Sequence, residues 1–266
     1  MPTRHRHHHA EVRILKKSLI QDGLVQLSLW LTLVATTLLA GLGRGFTGFG
    51  GALVMAPVFM TFMDPVTATT IILIVNTVVG LANLREVGAE TEWTIAKPLS
   101  IAGCIASPIG LWLVTSVDVD LVRRVVALIV LAASFGLALR WKFPFSIRHR
   151  IGNAVLGAAS GSLFGLGGVG GPPVIIGMLA EDLPARVARA TLLTYFAIVQ
   201  TCTLVLMTLE GGVAGDGVWY GVAMIVPYYL GSALGLRLLT PERAPLFRSA
   251  SIVVLVAVAA YGLLPH

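Results

Sequence analysis

Arg44 is the only basic residue set inside a glycine-rich element, Gly41–Gly51, and a second such element, Gly161–Pro173, occupies the corresponding place in the other half of the chain. Both lie among strongly apolar residues. Glycine lowers helix stability by about 1 kcal/mol relative to alanine. A backbone group left without a partner in lipid costs far more, so such breaks persist where the freed backbone is buried in protein or lines a cavity. A break followed by a half-helix presents free N–H groups and the positive end of a helix dipole, an arrangement that binds anions without a cationic side chain. Gly48, Gly50 and Gly51 in the first element, and Gly167, Gly168, Gly170 and Gly171 in the second, are the candidate ligands. Pro172 and Pro173 donate no N–H, so the second element relies on Gly168, Val169, Gly170 and Gly171. The competing reading is that these glycines only let helices approach closely, as small residues do in membranes.

Arg44 carries its own pair of readings. An arginine at the centre of a span costs about 2.5–3.5 kcal/mol on insertion scales, so it faces a cavity, a partner or the interface. Its planar fork suits a sulfonate or a carboxylate; near the end of the first helix it could equally snorkel to the interface. Asn76 and Tyr195 sit inside otherwise apolar segments, with Asn83, Thr194 and Gln200 nearby. They complete a polar lining, or they form interhelical hydrogen bonds worth about 0.6 kcal/mol each. No Asp or Glu falls well inside a span, so a buried carboxylate proton relay is not expected. Either the anion carries its own proton or the membrane potential drives it.

These residues need elements to hold them, and composition names the kind. The chain has 266 residues, 56% hydrophobic and 12% charged, with a mean hydropathy of +0.86, outside the range of a soluble domain. Apolar segments run over about 24–43, 66–84, 95–115, 121–139, 151–164, 191–209, 218–239 and 246–264, continuous rather than alternating. Two shorter ones, 52–63 and 174–180, follow the glycine elements and read as half-helices. The expectation is an all-α polytopic membrane protein with about 8–10 transmembrane segments.

An internal repeat organises them. Setting residue n against n+117 superposes Gly48, Gly50 and Gly51 on Gly165, Gly167 and Gly168, and places Gly161 opposite Arg44. An offset of 119 brings Pro65 to Pro184 and Asn76 to Tyr195, and one of 125 brings Gly110 to Gly235. Each half then holds five segments, and because five is odd the halves are inverted. Charge gives the same answer by different residues. The basic stretches 85–97, 140–150, 186–189 and 237–248 read as cytoplasmic loops, and acidic 210–216 as external. The N-terminus then falls outside, although Arg4, Arg6, Arg13, Lys16 and Lys17 run against that placement. The division is a basic tail (1–23), a first membrane repeat (24–140), a basic connecting loop (141–150) and a second membrane repeat (151–266). Residues 24–40 are read as the leading helix of the first repeat rather than a cleaved signal.

Several function classes recede. The net charge of +6 lies in the tail and short loops, which argues for membrane orientation rather than nucleic acid. Cys104 and Cys202, about a hundred residues apart in sequence, read as reduced core residues. Ser160 and Ser162 would need a general base to act as nucleophiles. The six histidines, His5, His7, His8, His9, His149 and His266, all lie outside the spans, which disfavours a membrane-embedded hydrolase. The histidine-rich tail leaves a metal-cation transporter as a further alternative.

The stretch from Gly45 to Gly51, followed by Ala56-Pro57, with its degenerate second copy from Gly165 to Pro173, resembles the TauE/SafE family of sulfite exporters and toluene-sulfonate uptake permeases. The resemblance runs from about residue 24 to residue 264. It implies a permease of the bacterial inner membrane that moves sulfite, organosulfonates or related small anions, with no enzymatic activity and no cofactor. The lipid bilayer and a small anionic substrate are the expected partners, and the oligomeric state is left open. Independently of the resemblance, the duplication and the placement of the polar residues suggest alternating access, the two halves rocking about a central anion, with a channel as the alternative.

Overall fold

The computed structural model describes residues 26–45, 48–139 and 146–238, all of them helix, turn or short connection with no strand among them. Among the described residues nine α-helices follow in order: α1 (Gln26–Gly45), α2 (Gly51–Phe62), α3 (Pro65–Val87), α4 (Trp93–Ser116), α5 (Val119–Ala138), α6 (Arg150–Gly167), α7 (Gly171–Leu179), α8 (Ala185–Leu209) and α9 (Gly215–Leu238). Residues 1–35 and 36–266 form two units, and the glycine breaks and the helices they interrupt belong to the second. The expected segment 246–264, the basic tail and its histidines lie outside the described residues.

Five of these helices, α1, α3, α4, α8 and α9, are long and apolar enough to cross a bilayer, at about 1.5 Å of rise per residue against about 30 Å of hydrocarbon. The expected half-helices are present as α2, with 12 residues, and α7, with 9. Helix α8 begins at Ala185 and so includes the arginines at 186 and 189 that the sequence assigns to a loop.

Local chemistry sets the boundaries. Asp64 caps α3, accepting hydrogen bonds from the Thr67 N–H at 2.9 Å and the Thr67 hydroxyl at 2.6 Å, and Pro65 occupies the first helical position, where no N–H is needed. Helix α6 stops at Gly168, whose φ of 71° places it in the left-handed region that glycine tolerates. Gly50, at φ 96°, makes the corresponding break before α2.

Packing follows the small-residue rule of membrane helices. Along α4, Ile101, Ile105, Ile109 and Trp112 face outward, with Ile105 74% exposed, while Gly103, Ser107 and Gly110 are buried against α6. On α6 the contact is made by Gly157, Gly161 and Gly165, spaced four apart. A Cβ on Gly161 would overlap the Gly103 carbonyl, and one on Gly165 would overlap that of Ser107. The same interface recurs between α1 and α9, where Gly41 abuts the carbonyl of Tyr228, Gly45 that of Ser232, and Gly235 that of Leu42. These contacts map onto one another by adding 120 on α1 and 125 on α4. Gly41, Gly45 and Leu42 become Gly161, Gly165 and Ser162, and Gly103, Ser107 and Gly110 become Tyr228, Ser232 and Gly235. The leading helix of each half thus packs on the fourth helix of the other, the exchange expected of a pseudo-two-fold pair.

The repeat register therefore needs correction. An offset of 120, not 117, matches the two breaks. Gly48 and Gly168 both have positive φ, Gly50 and Gly170 both precede a half-helix, and Gly51 and Gly171 both begin one. Shared glycine composition favoured the shorter offset, whereas backbone geometry selects the longer. The counterpart of Arg44 is accordingly Phe164 rather than Gly161.

Candidate anion-binding site

The N-terminal ends of α2 and α7 converge on one cleft, lined by Arg44, Gly48, Phe49, Gly50, Gly51, Ala52, Leu53, Asn76, Phe164, Gly168, Val169, Gly171, Phe196 and Gln200. It is narrow, with a cavity volume of about 20 Å³, room for about one water molecule.

The two half-helices contribute unequally. In α2 the first backbone bond inside the helix runs from the Val54 N–H to the Gly50 carbonyl, at 3.3 Å, and no side chain caps the end. The N–H groups of Gly51, Ala52 and Leu53 therefore have no acceptor within the helix and lie at the cleft wall. In the second element the Gly168 N–H bonds the Phe164 carbonyl at 2.9 Å and the Val169 N–H bonds that of Leu163 at 3.2 Å. Those two donors are spent on capping α6, and in the first element the Gly48 N–H, expected to face the anion, is likewise spent on the Arg44 carbonyl at 2.7 Å. Pro172 and Pro173 supply none. Of the four residues expected to clamp from this side, only Gly170 and Gly171 keep an uncommitted N–H in their position at the start of α7.

Arg44 is 4% exposed. Its Nη1 donates to Asn76 Oδ1 at 2.6 Å, and the same oxygen accepts the Tyr228 hydroxyl at 2.7 Å. Asn76 Nδ2 donates to the Ile72 carbonyl at 2.8 Å, which fixes which way the amide points. The guanidinium carbon lies 5.8 Å from the centre of the Tyr228 ring, a cation–π contact, and Nη2 rests against Gly80 of α3. Among the described residues Nε and Nη2 have no hydrogen-bond partner. The ion pairs among the described residues, Arg123–Asp120, Arg148–Glu181 and Arg186–Glu90, use other arginines. Arg44 thus brings a buried positive charge with two donor groups unmet to the edge of the α2 N-terminus. The buried Oε1 of Gln200 also lacks a partner among the described residues.

Of the sequence candidates, Arg44, Gly48, Gly50, Gly51, Asn76, Gly168 and Gly171 share the cleft wall, and three do not. Gly167 packs against Met60 and Val126. Gly170 is pressed against Phe164, and its carbonyl accepts the Ser160 hydroxyl. Tyr195 stands behind the wall, fully buried, its ring 6.4 Å from that of Phe164 and 5.6 Å from that of Phe196.

The pseudo-symmetry explains that difference. With offsets of 120, 119 and 125 for the three elements, the trio Arg44, Asn76 and Tyr228 corresponds to Phe164, Tyr195 and Gly103. Bulk is exchanged within the set: Tyr195 is large where Asn76 is small, and Gly103 makes room for it, its Cβ position lying 3.0 Å from the Tyr195 hydroxyl. One half of the molecule therefore presents a polar, cationic wall and the other an aromatic one.

Tyr228 and Arg189 escaped the sequence reading. Tyr228 sits one residue after Pro227 in an apolar run. Extending the offset of 125 from Gly110 back to Gly103 brings it into view. Arg189 belongs to α8, and its side chain lies against Gly48, with Nη2 bonded to the Gly45 carbonyl at 3.4 Å. Counting it with the loop charges hid it. The alternative centres look different: the Ser160 hydroxyl donates to the Gly170 carbonyl, and that of Ser162 to the Ala106 carbonyl at 3.2 Å across the α4–α6 interface. Cys104 on α4 and Cys202 on α8 are free thiols, and their side chains meet.

A broken-helix cleft inside a bundle of long apolar helices defines a multi-pass, all-α membrane protein of the transport type. Over residues 33–262 the chain matches the family Sulfite exporter TauE/SafE, and it belongs to that family. The family is one of transporters rather than enzymes. No curated protein and no solved structure matches the chain.

Proposed function

We propose that this protein carries a small sulfur-containing anion, sulfite or an organosulfonate, across the bacterial inner membrane, holding it between the N-terminus of α2 and Arg44. The observation that carries the reading is the unmet charge of Arg44, buried beside three α2 N–H groups that have no acceptor within their helix. Leaving a buried charge uncompensated costs about 3–5 kcal/mol. An oxyanion in the cleft supplies the missing partner to the guanidinium and to the helix dipole together. A cation is disfavoured there for the same electrostatic reason, which weakens the metal-transport alternative.

Asn76 and Tyr228 act as positioning residues, since both reach the anion through Arg44. The aromatic wall of Phe49, Phe164 and Phe196 excludes water on the opposite side and so strengthens the polar contacts. Because the cleft has room for little more than a water molecule, admitting and passing the anion requires the walls to part first on one face and then on the other. The reciprocal packing of α1 on α9 and of α6 on α4 supports alternating access by rocking of the two repeats.

The test is thermal unfolding of the detergent-purified protein against sulfite, sulfate, thiosulfate, sulfonates and carboxylates. At one hundred times its dissociation constant, a bound anion stabilises the native state by about 2.7 kcal/mol. Selective stabilisation by sulfite or a sulfonate, reduced in Arg44→Gln, supports the reading. Stabilisation by metal ions alone defeats it.

A further inference from the structure

We propose that Arg189 forms a second anion-holding position on the cytoplasmic side of the cleft, from which one anion passes to Arg44 across Gly48. This rests on the anion reading of the Arg44 site. Arg189 is the fifth residue of α8, at the end of the helix that carries the basic cluster, opposite the acidic 210–216 connection. That places it on the cytoplasmic side by the positive-inside rule.

Its surroundings match a charge awaiting a ligand. Among the described residues buried Nε has no hydrogen-bond partner, and Nη2 makes a single long, 3.4 Å bond, to the Gly45 carbonyl. No carboxylate pairs with it among the described residues. Its neighbour Arg186, by contrast, is neutralised by Glu90. Gly48 separates Arg189 from the cleft: a Cβ there would lie 3.1 Å from Arg189 Cγ and 3.3 Å from Nε, while the glycine itself lines the cleft wall. Arg189 is only partly buried, so it meets both the cytoplasmic approach and the wall of the site.

The opposite face is built differently. The counterpart of Gly48 is Gly168, and the residue pressed against Gly168 is Ile72, which is wholly buried. An anion arriving from the cytoplasm meets a guanidinium beside the glycine of the cleft wall, whereas the equivalent position beside Gly168 holds a buried isoleucine. Charge at one mouth raises local anion concentration and capture rate there, with a dependence on ionic strength that an apolar mouth lacks. The expected consequence is a lower KM for sulfite presented from the cytoplasmic face.

The experiment measures sulfite flux in inside-out and right-side-out membrane vesicles for the wild-type protein, Arg189→Gln and Arg189→Lys. For Arg189→Gln the cytoplasmic-face KM should rise about tenfold and lose its dependence on ionic strength, while the outer-face KM stays within about twofold. Arg189→Lys should restore most of the cytoplasmic affinity. Because Arg189→Gln could fail to fold, the ionic-strength dependence of the wild-type KM at the two faces is a second readout, steep at the cytoplasmic face alone. Equal KM changes at both faces in Arg189→Gln, or equal salt dependence at both faces of the wild type, would overturn the role of Arg189 and leave the Arg44 site standing. Absence of saturable sulfite flux in the wild type would remove both.

Discussion

Replacing Asn76 by aspartate puts a carboxylate where the amide now accepts from Arg44 at 2.6 Å and from Tyr228 at 2.7 Å. The substitution is nearly isosteric, so the two accepted bonds persist and become charge-assisted. At an effective dielectric of 20, a pair of charges about 4 Å apart gains about 4 kcal/mol. Against this stand the lost Nδ2 bond to the Ile72 carbonyl, worth about 1 kcal/mol, and the cost of facing that carbonyl with an oxygen. Desolvating the new carboxylate costs several kcal/mol more, so gain and costs roughly offset and the anion-free protein keeps about wild-type stability, with its site charge already neutralised from within. The two proteins separate on adding anion. A wild-type gain of about 2.7 kcal/mol at one hundred times the dissociation constant corresponds to a rise in Tm of roughly 5–10 °C at 2–4 °C per kcal/mol. In Asn76→Asp that rise should disappear, because the substrate now competes with a tethered carboxylate. The assay is thermal unfolding with and without sulfite, in parallel with flux in proteoliposomes. A full sulfite-induced rise in Asn76→Asp would show that Arg44 does not contribute its charge to the anion, and the reasoning would fail.

Other positions test separate parts of the account. Gly161→Val drives a side chain into the Gly103 carbonyl at the α4–α6 crossing and should cost about 1–3 kcal/mol or more, as overpacking does, whereas Gly43→Ala, where a Cβ meets nothing within 4 Å, should be neutral or stabilise α1 by up to about 1 kcal/mol; paired unfolding curves decide. Gly51→Ala places a methyl against the Tyr228 hydroxyl, displacing it from Asn76, so sulfite binding should weaken about tenfold while the fold persists; isothermal titration measures it. Asp64 is drawn two ways: burial raises its pKa, and the hydrogen bonds from Thr67 more than offset this, holding it below the usual 3.8. The cap is thus fully present above that value and is lost as pH falls through and below it, so the destabilisation by Asp64→Ala, about 0.5–2 kcal/mol at neutral pH, should vanish in acid.

The sequence carried the architecture because helix length, glycine breaks and charged connections leave few alternatives in a membrane. The half-helices expected at 52–63 and 174–180 appear as α2 and α7, shifted by a residue or a few. Site geometry was legible only in part. The glycines divide between two places: Gly41, Gly45, Gly161 and Gly165 sit at close helix crossings, and Gly48, Gly50, Gly51, Gly168 and Gly171 line the cleft. Composition alone does not divide them, because what differs is positive φ and an approaching carbonyl. Asn76 was visible as a polar residue in an apolar run, but its partner Tyr228 lies 152 residues away, and only packing brings them together. Tyr195 was paired with Asn76 by symmetry and lies at the equivalent place, but there the repeat has exchanged polarity for aromatic bulk, a substitution that alignment registers as a match. The consumption of the Gly168 and Val169 N–H groups by the α6 cap is likewise a matter of backbone geometry, not of residue type.

One oxyanion is expected between the α2 N-terminus and Arg44. Selenite has the shape and charge of sulfite and scatters anomalously, so a crystal of the protein grown with selenite locates the ion directly. One selenium peak is expected in the cleft, its oxygens within hydrogen-bonding distance of Arg44 Nη2 and of the Gly51 and Ala52 N–H groups, and none in crystals of Arg44→Gln. A peak elsewhere in a protein that transports selenite, or no peak in the cleft at saturating selenite, would contradict it.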